Sequence, residues 1–132
     1  MRIEAYLRVV GAENTIRTIE KETHLPNASI KQTKAKRDKV GDEMWWNWMT
    51  ARVPIDIRNT DDELKKLLLA HRSIFPMIKQ HETETDIYLE VVTQYEEGES
   101  PWGLYFSAET ILLLSEMGGA LDVDAVPIVH DS

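Results

Sequence analysis

Arg2-Ile3-Glu4-Ala5-Tyr6-Leu7-Arg8-Val9-Val10 is the stretch on which the fold class turns. Ile3, Ala5, Leu7 and Val9 fall on one side of a period-two pattern, and Arg2, Glu4, Tyr6 and Arg8 on the other. That alternation is the mark of a strand with one buried face, and such a face needs a second layer to pack against. The following segments supply that layer. Gly11 punctuates the strand, and Asn14 or Thr15 caps a short helix whose inward positions are Ile16 and Ile19. This helix ends before Pro26, because the residue ahead of a proline avoids helical dihedrals. Residues 28 to 35 read as a polar edge strand, followed by a basic turn and a strand from Glu43 to Val53.

Asn59-Thr60-Asp61-Asp62-Glu63 predicts a helix start, with Thr60 capping the following amides, Glu63 reaching back, and acids at the positive end of the helix. Leu64, Leu67, Leu68, His71, Phe75 and Ile78 keep helical spacing, although Pro76 should break or kink the helix after Ile74. A strand over Ile87 to Tyr95, a turn over Glu96 to Pro101 and a short strand over Trp102 to Phe106 come next. Ser107 then caps a helix containing Ile111, Leu112 and Leu114, which Gly118-Gly119 terminates. In a last strand Leu121, Val123 and Ala125 alternate with Asp122, Asp124 and Val126. The expected architecture is one α+β domain over residues 1–132, a mixed and mainly antiparallel sheet with helices on one face; two related ferredoxin-like halves are one arrangement of these elements.

The 132 residues are 42% hydrophobic and 29% charged, which is core enough for one domain and excludes wholesale disorder. No stretch reaches the roughly 20 apolar residues of a membrane span, and the first residues alternate where a signal peptide would show an apolar run. With no cysteine, disulfides, thiolate nucleophiles and the common structural zinc sites drop out. A cytoplasmic protein without membrane contact is expected. The net charge of −8 is unevenly placed: residues 1–80 hold all fifteen Lys and Arg against eleven acids, whereas residues 81–132 hold twelve acids and no Lys or Arg. The acidic half either compensates basic neighbours within the fold or forms a face that steers basic partners and repels phosphates.

Three segments resemble a known family. Phe106-Ser107-Ala108-Glu109-Thr110-Ile111, Leu114-Ser115-Glu116-Met117-Gly118-Gly119-Ala120 and Leu121-Asp122-Val123-Asp124 are similar to the C-terminal signature of domain-of-unknown-function family 4279. Trp46-Asn47-Trp48-Met49-Thr50, followed by a capped Leu-rich helix, resembles that family's middle. The resemblance spans nearly the whole chain and implies a compact domain of bacterial or phage type. Its motifs are caps, a glycine stop and alternating strands, so it implies no activity.

Met44-Trp45-Trp46-Asn47-Trp48-Met49 places three tryptophans within four positions. On a strand, Trp46 and Trp48 share one face while Trp45, Asn47 and Met49 take the other; a helix from Asp42 would instead align Trp45, Trp48 and Met49. If helices cover only one face of the sheet, Trp45 and Met49 are left for a protein partner or a homodimer, being residue types enriched at interface cores. Both faces being covered is the alternative. Lys31, Lys34, Lys36, Arg37 and Lys39 form a basic cluster that would suit single-stranded nucleic acid, but a lysine-protected hairpin edge explains them better at this net charge.

The histidines His24, His71, His81 and His130 show no i, i+3 or i+4 pairing, so no metal motif is written in the chain, and His81-Glu82-Thr83-Glu84-Thr85-Asp86 offers only dispersed ligands. Asp122 and Asp124 share a strand face and read as its solvated side, with a divalent cation as the sharper alternative. No serine sits in a Gly-x-Ser-x-Gly elbow, no phosphate-binding glycine loop exists, and no catalytic residue or cofactor can be named. The leading expectation is therefore a non-enzymatic interaction domain of immunity or inhibitor type, binding a basic partner through Trp45, Met49, Glu96, Glu97 and Glu99. The alternative is a small-ligand-binding or metal-assisted hydrolytic site built from scattered His, Asp and Glu. A flat aromatic surface would favour the former, a concave site with convergent polar groups the latter.

Overall fold

The computed structural model describes residues 1–34, 44–99 and 103–130. Its elements run β1 (Arg2–Gly11), α1 (Glu13–Thr23), β2 (Ser29–Lys34), β3 (Met44–Met49), β4 (Val53–Ile55), α2 (Thr60–Ala70), a 3-10 turn (Arg72–Ile74), α3 (Phe75–Lys79), β5 (Asp86–Tyr95), α4 (Ala108–Met117) and β6 (Ala120–Pro127). The sheet order is β2-β3-β1-β5-β6, with β4 also on β1. Every pairing is antiparallel except β5 with β6. This is an α+β fold with a mixed, mainly antiparallel open sheet.

Two ferredoxin-like halves are not what the topology shows. Strands β2, β3, β1 and β5, with α1 and the α2–α3 segment between them, make a single β-α-β-β-α-β unit, and α4–β6 adds one parallel strand at the β5 edge. The alternation in β1 is realised as read: Ile3, Ala5, Leu7 and Val9 are buried with Leu89, Val91 and Trp48, against Ile16, Ile19, Leu64, Leu68, Phe75, Ile78 and Met117 from the helices. Arg17 of α1 stands 4.9 Å over the Trp46 ring, so both Trp46 and Trp48 lie on the helix side. The tryptophan segment is a strand, and β2 is an edge strand, as the pattern predicts.

Several local expectations need correction. The strand read from Glu43 to Val53 is two strands, and Glu43 itself lies outside the described residues. Arg8 pairs with Met49 but Ala5 with Val53, so three steps along β1 face four steps along its neighbour. That extra residue is a β-bulge at residues 50–52, which bends the strand and re-aims its side chains. Thr50 patches the gap: its N–H donates to the Leu7 carbonyl at 3.0 Å, and its hydroxyl accepts from the Leu7 N–H at 2.9 Å.

Helix α2 begins after Asn59 with no side-chain cap, so the capping box at Thr60 and Glu63 does not form. Asp61 turns instead to α4, accepting from Ser107 N–H at 2.9 Å and the Thr110 hydroxyl at 2.8 Å. The helix stops at Ala70, and Pro76 occupies the first turn of α3, where its missing N–H costs nothing. Helix α1 is capped by neither Asn14 nor Thr15; its N-cap is Ala12. Residues 103–106 form no strand, and Trp102 lies outside the described residues. Ser107 does cap α4, and Gly118, at φ 78°, closes it. At Gly119 a Cβ would stand 2.7 Å from the Met117 methyl group and 3.2 Å from Ile87, so a side chain there would make the buried Met117 shift. Ile111 and Leu112 face outward, while Thr110, Leu113 and Met117 are the buried residues of α4.

Candidate functional site

The helices occupy one side of the sheet, and the side chains on its other side form a groove of about 890 Å³ lined by no helical residue. Strand pleating assigns its members. From β1 come Tyr6, Arg8 and Val10, from β3 Trp45, Asn47 and Met49, from β5 Asp86, Tyr88 and Glu90, from β6 Asp122 and Asp124, and from β2 Ser29, Lys31 and Thr33. The bulge contributes Arg52, which lies 4.9 Å over the Tyr6 ring.

A continuous polar network crosses all five strands of the sheet order. Asn47 Nδ2 donates to Thr33 Oγ1 at 2.8 Å and to the Lys31 carbonyl at 3.3 Å, while its Oδ1 accepts from Arg8 Nη1 at 3.2 Å. Arg8 Nε donates to Glu90 Oε1 at 2.7 Å, with Nη2 at 2.5 Å from the same oxygen and 3.6 Å from Asp122 Oδ2. The guanidinium also lies 4.8 Å over the Tyr88 ring, a cation–π placement that holds it flat on the groove floor. Neighbours bury Glu90 to 2% exposure, Asn47 to 4% and Tyr6 to 8% without any helix above them.

Glu90 is the centre of this arrangement. Burial, and then the facing Asp122 carboxyl, push its pKa up to about 7 against the opposing pull of Arg8. Its Oε2 is buried and meets no donor of the protein, and when Glu90 is neutral its proton is shared with Asp122. One oxygen each from Glu90, Asp122 and Asp124 lie within 4.8 Å of one another. Burial, reinforced by Glu90, raises the Tyr6 phenol, and burial with Asp86 raises Tyr88, so both hydroxyls remain donors at neutral pH. The floor thus offers carboxylate acceptors, guanidinium and phenol donors, an amide that does both, and aromatic walls.

The matched region of one family model runs over residues 1–127. The chain belongs to the family described as "Domain of unknown function (DUF4279)". No curated protein and no solved structure matches it.

For this family member the residues singled out in the sequence separate in space. Trp45, which is exposed, and the half-buried Met49 lie on the helix-free face where pleating predicts them, and both line the groove. Glu96, Glu97 and Glu99 do not join them. They lie in the turn after β5, where Glu99 pairs with the Met1 amine at 3.3 Å and accepts from the Glu96 N–H at 2.9 Å. Glu96 pairs with His130 Nε2 at 2.5 Å, and Glu97 remains exposed. Lys36, Arg37 and Lys39 of the basic cluster lie outside the described residues. No histidine lines the groove. Among the described residues, no helix is long and apolar enough to cross a membrane.

Sequence reasoning missed Glu90, Arg8, Asn47 and Tyr6. The available signal was an acid between Leu89 and Val91 inside the run Ile87-Tyr88-Leu89-Glu90-Val91-Val92, matched by Arg8 on the polar side of β1. Only the β1–β5 register, which sets Tyr6 opposite Glu90 and Arg8 opposite Tyr88, and the β1–β3 register, which brings Asn47 beside Arg8, make them neighbours.

Proposed function

We propose that this protein is a binding domain that takes a small, uncharged, hydroxyl-rich ligand on the helix-free face of its sheet. The observation that carries the reading is the cross-sheet network from Thr33 to Asp122, with a buried Glu90 at its centre and an unfilled acceptor in the groove floor. The groove is concave and falls in the volume range of small-molecule sites, about 300–1,000 Å³, rather than presenting a flat aromatic plate.

Its charges oppose one another. Arg8, Lys31 and Arg52 face Asp86, Glu90, Asp122 and Asp124 across one floor, so a ligand that spans the whole groove gains little from net charge of either sign. Hydroxyl groups both donate and accept, and they suit a mixture of carboxylates, amide and guanidinium. The exposed ring of Trp45 gives the C–H face of such a ligand an apolar surface.

Titration with mono- and disaccharides, followed by tryptophan fluorescence, tests the reading. A saturable change is expected in the native chain and its loss in Asn47→Ala and Trp45→Ala. Self-association that increases with protein concentration and disappears in Trp45→Arg would show the face covered by a second copy, and would overturn it.

A second reading is supported by β6. It is the sheet edge opposite β2, its outer backbone faces no strand among the described residues, and its only charged side chains are Asp122 and Asp124. Antiparallel self-pairing would bring acids against acids, so the occupant this edge favours is a partner strand carrying lysines or arginines at alternate positions. This is the interaction-domain expectation with its contact moved from the Glu96–Glu99 turn to β6. A synthetic peptide of alternating valine and lysine should bind with strong salt dependence, and salt-insensitive or absent binding counts against it.

A further inference from the structure

We propose that Glu90, Asp122 and Asp124 form a binding site for a hard divalent cation, calcium ahead of magnesium, at the β5–β6 end of the groove. The assignment rests on reading that face as a ligand site and specifies what completes its floor. The parallel register sets Glu90 beside Asp122 and Val92 beside Asp124. Side chains two apart on β6 share a face, so all three carboxyl groups point to the helix-free side. The donor set is oxygen only, which selects hard cations over zinc or copper.

Three observations converge on a cation at this point. First, Glu90 is 2% exposed, and while Arg8 satisfies its Oε1, its Oε2 is enclosed without a partner. A carboxylate oxygen withdrawn from water and left unpaired is costly, so the fold maintains an acceptor that only a proton or a cation can fill. Second, the spacing fits. Two oxygens on opposite sides of a calcium ion, each bound at about 2.3–2.6 Å, stand at most about 4.6–5.2 Å apart, whereas around magnesium the limit is about 4.0–4.2 Å. One oxygen from each of the three carboxylates lies within 4.8 Å of the other two, inside the span of two calcium ligands and beyond that of two magnesium ligands at its upper bound, so small side-chain rotations bring all three onto one calcium ion.

Third, the charges close. Three carboxylates and the Arg8 guanidinium sum to −2, which a divalent ion cancels. Arg8 borders the ion's place: it engages Oε1 of Glu90, with Nη2 3.6 Å from Asp122 Oδ2, and leaves Glu90 Oε2 and Asp124 to the ion. Hydroxyls of a ligand in the groove would then complete the coordination shell, because calcium takes six to eight oxygens and the protein supplies few of them.

Calorimetric titration of calcium chloride into the chelator-stripped full chain, at pH 8 and low ionic strength, is the test. One saturable site per chain is expected, with magnesium chloride binding more weakly. Asp124→Asn, an exposed position that should not disturb folding, is expected to weaken calcium at least about tenfold, and Asp122→Asn similarly. Glu97→Gln, an acid outside the groove, should leave the affinity unchanged. No heat with the native chain, or equal affinity in the native chain and in Asp124→Asn, overturns the assignment and leaves a shared proton as the filler of Oε2. If calcium fails but saccharides still change the fluorescence, only the cation falls; if calcium binds and saccharides do nothing, the ligand reading falls alone.

Discussion

Ala5, Leu7 and Val9 on one side of β1 are fully buried beneath helices, whereas Tyr6 and Arg8 on the other side are covered only by their neighbours in the sheet. Both sides bury side chains, by different physics. On the helix side burial is non-directional, and any apolar residue of suitable volume serves. On the groove side each buried group needs a partner in the right place, and the Thr33–Asn47–Arg8–Glu90 chain supplies one at every step until Glu90 Oε2. The helix side pays for folding. The groove side leaves one polar requirement unmet at the position open to a ligand.

The largest expected effect falls on the helix side. Trp48 is fully buried between β1, β2 and the helices, and Trp48→Ala should lower stability by about 3–5 kcal/mol in urea denaturation, as large aromatic truncations in cores do. Its Nε1 has no hydrogen-bond partner, so Trp48→Phe loses no bond and should cost much less. A Trp48→Phe penalty equal to that of Trp48→Ala would mean the indole N–H matters, and the contrast between the two faces would fail.

The next effect belongs to Glu90 and is read through pH, in chelator-containing buffer. Its folded pKa of about 7 lies above the ordinary carboxyl value of 4.5, so the folded chain keeps a proton that the unfolded chain releases. The associated stability is fully present below about pH 4.5 and is lost as pH rises through about 7, amounting to about 3 kcal/mol across that window. Glu90→Gln should flatten this slope and be relatively more stable than the native chain at pH 8. An unchanged slope in Glu90→Gln would place the titrating group elsewhere.

The fold was legible where one pattern met one physical demand. Alternation in residues 2–10 gave β1 and its inward face, Ser107 and Gly118 gave both ends of α4, and the pleat put Trp45 and Trp48 on opposite sides. The bulge was not legible, because it follows from a mismatch between two strands and not from a signal in either. Nor was the failure of the Thr60 cap, since Asn59-Thr60-Asp61-Asp62-Glu63 is locally persuasive and only α4, far along the chain, explains why Asp61 turns away. The site was legible by halves: Asp122 and Asp124 showed as a carboxylate pair on one strand face, and Trp45 and Met49 as uncovered apolar groups. Arg8, Glu90 and Asn47 come together only through strand order, which period-two patterning does not encode.

Asp61 joins two helices behind the core, and its removal should rank third. Burial alone would raise its carboxyl pKa, yet the Ser107 N–H and the Thr110 hydroxyl outweigh burial and hold it below the usual value. Asp61→Ala should cost about 1–2 kcal/mol at neutral pH, since hydrogen bonds to a charged group exceed ordinary ones. A lowered carboxyl pKa gives stability that is present above the unfolded value and disappears as pH falls through the folded one. The native chain and Asp61→Ala should therefore converge in acid, opposite in sign to the Glu90 effect, and a gap that persists unchanged below pH 3 would show that Asp61 acts by packing alone.

The smallest effect tests whether polar contacts matter here only when they are buried. Arg72 on the helix side meets Glu116 through two bonds, Nε to Oε2 at 2.9 Å and Nη2 to Oε1 at 3.0 Å, whereas Arg8 directs Nε and Nη2 to a single oxygen of Glu90. Arg72 and Glu116 are both exposed, so water competes for every bond and salt screens the pair. Arg72→Ala should therefore change stability by less than about 1 kcal/mol, with the difference vanishing in high salt. Arg8→Met, measured beside it at pH 8, should cost more, because a buried Glu90 that loses the guanidinium must take up a proton at a pH where the unfolded chain is ionised. Equal penalties for the two arginines would show that the groove floor is solvated like any other surface, and the argument for a ligand there would lose its energetic footing.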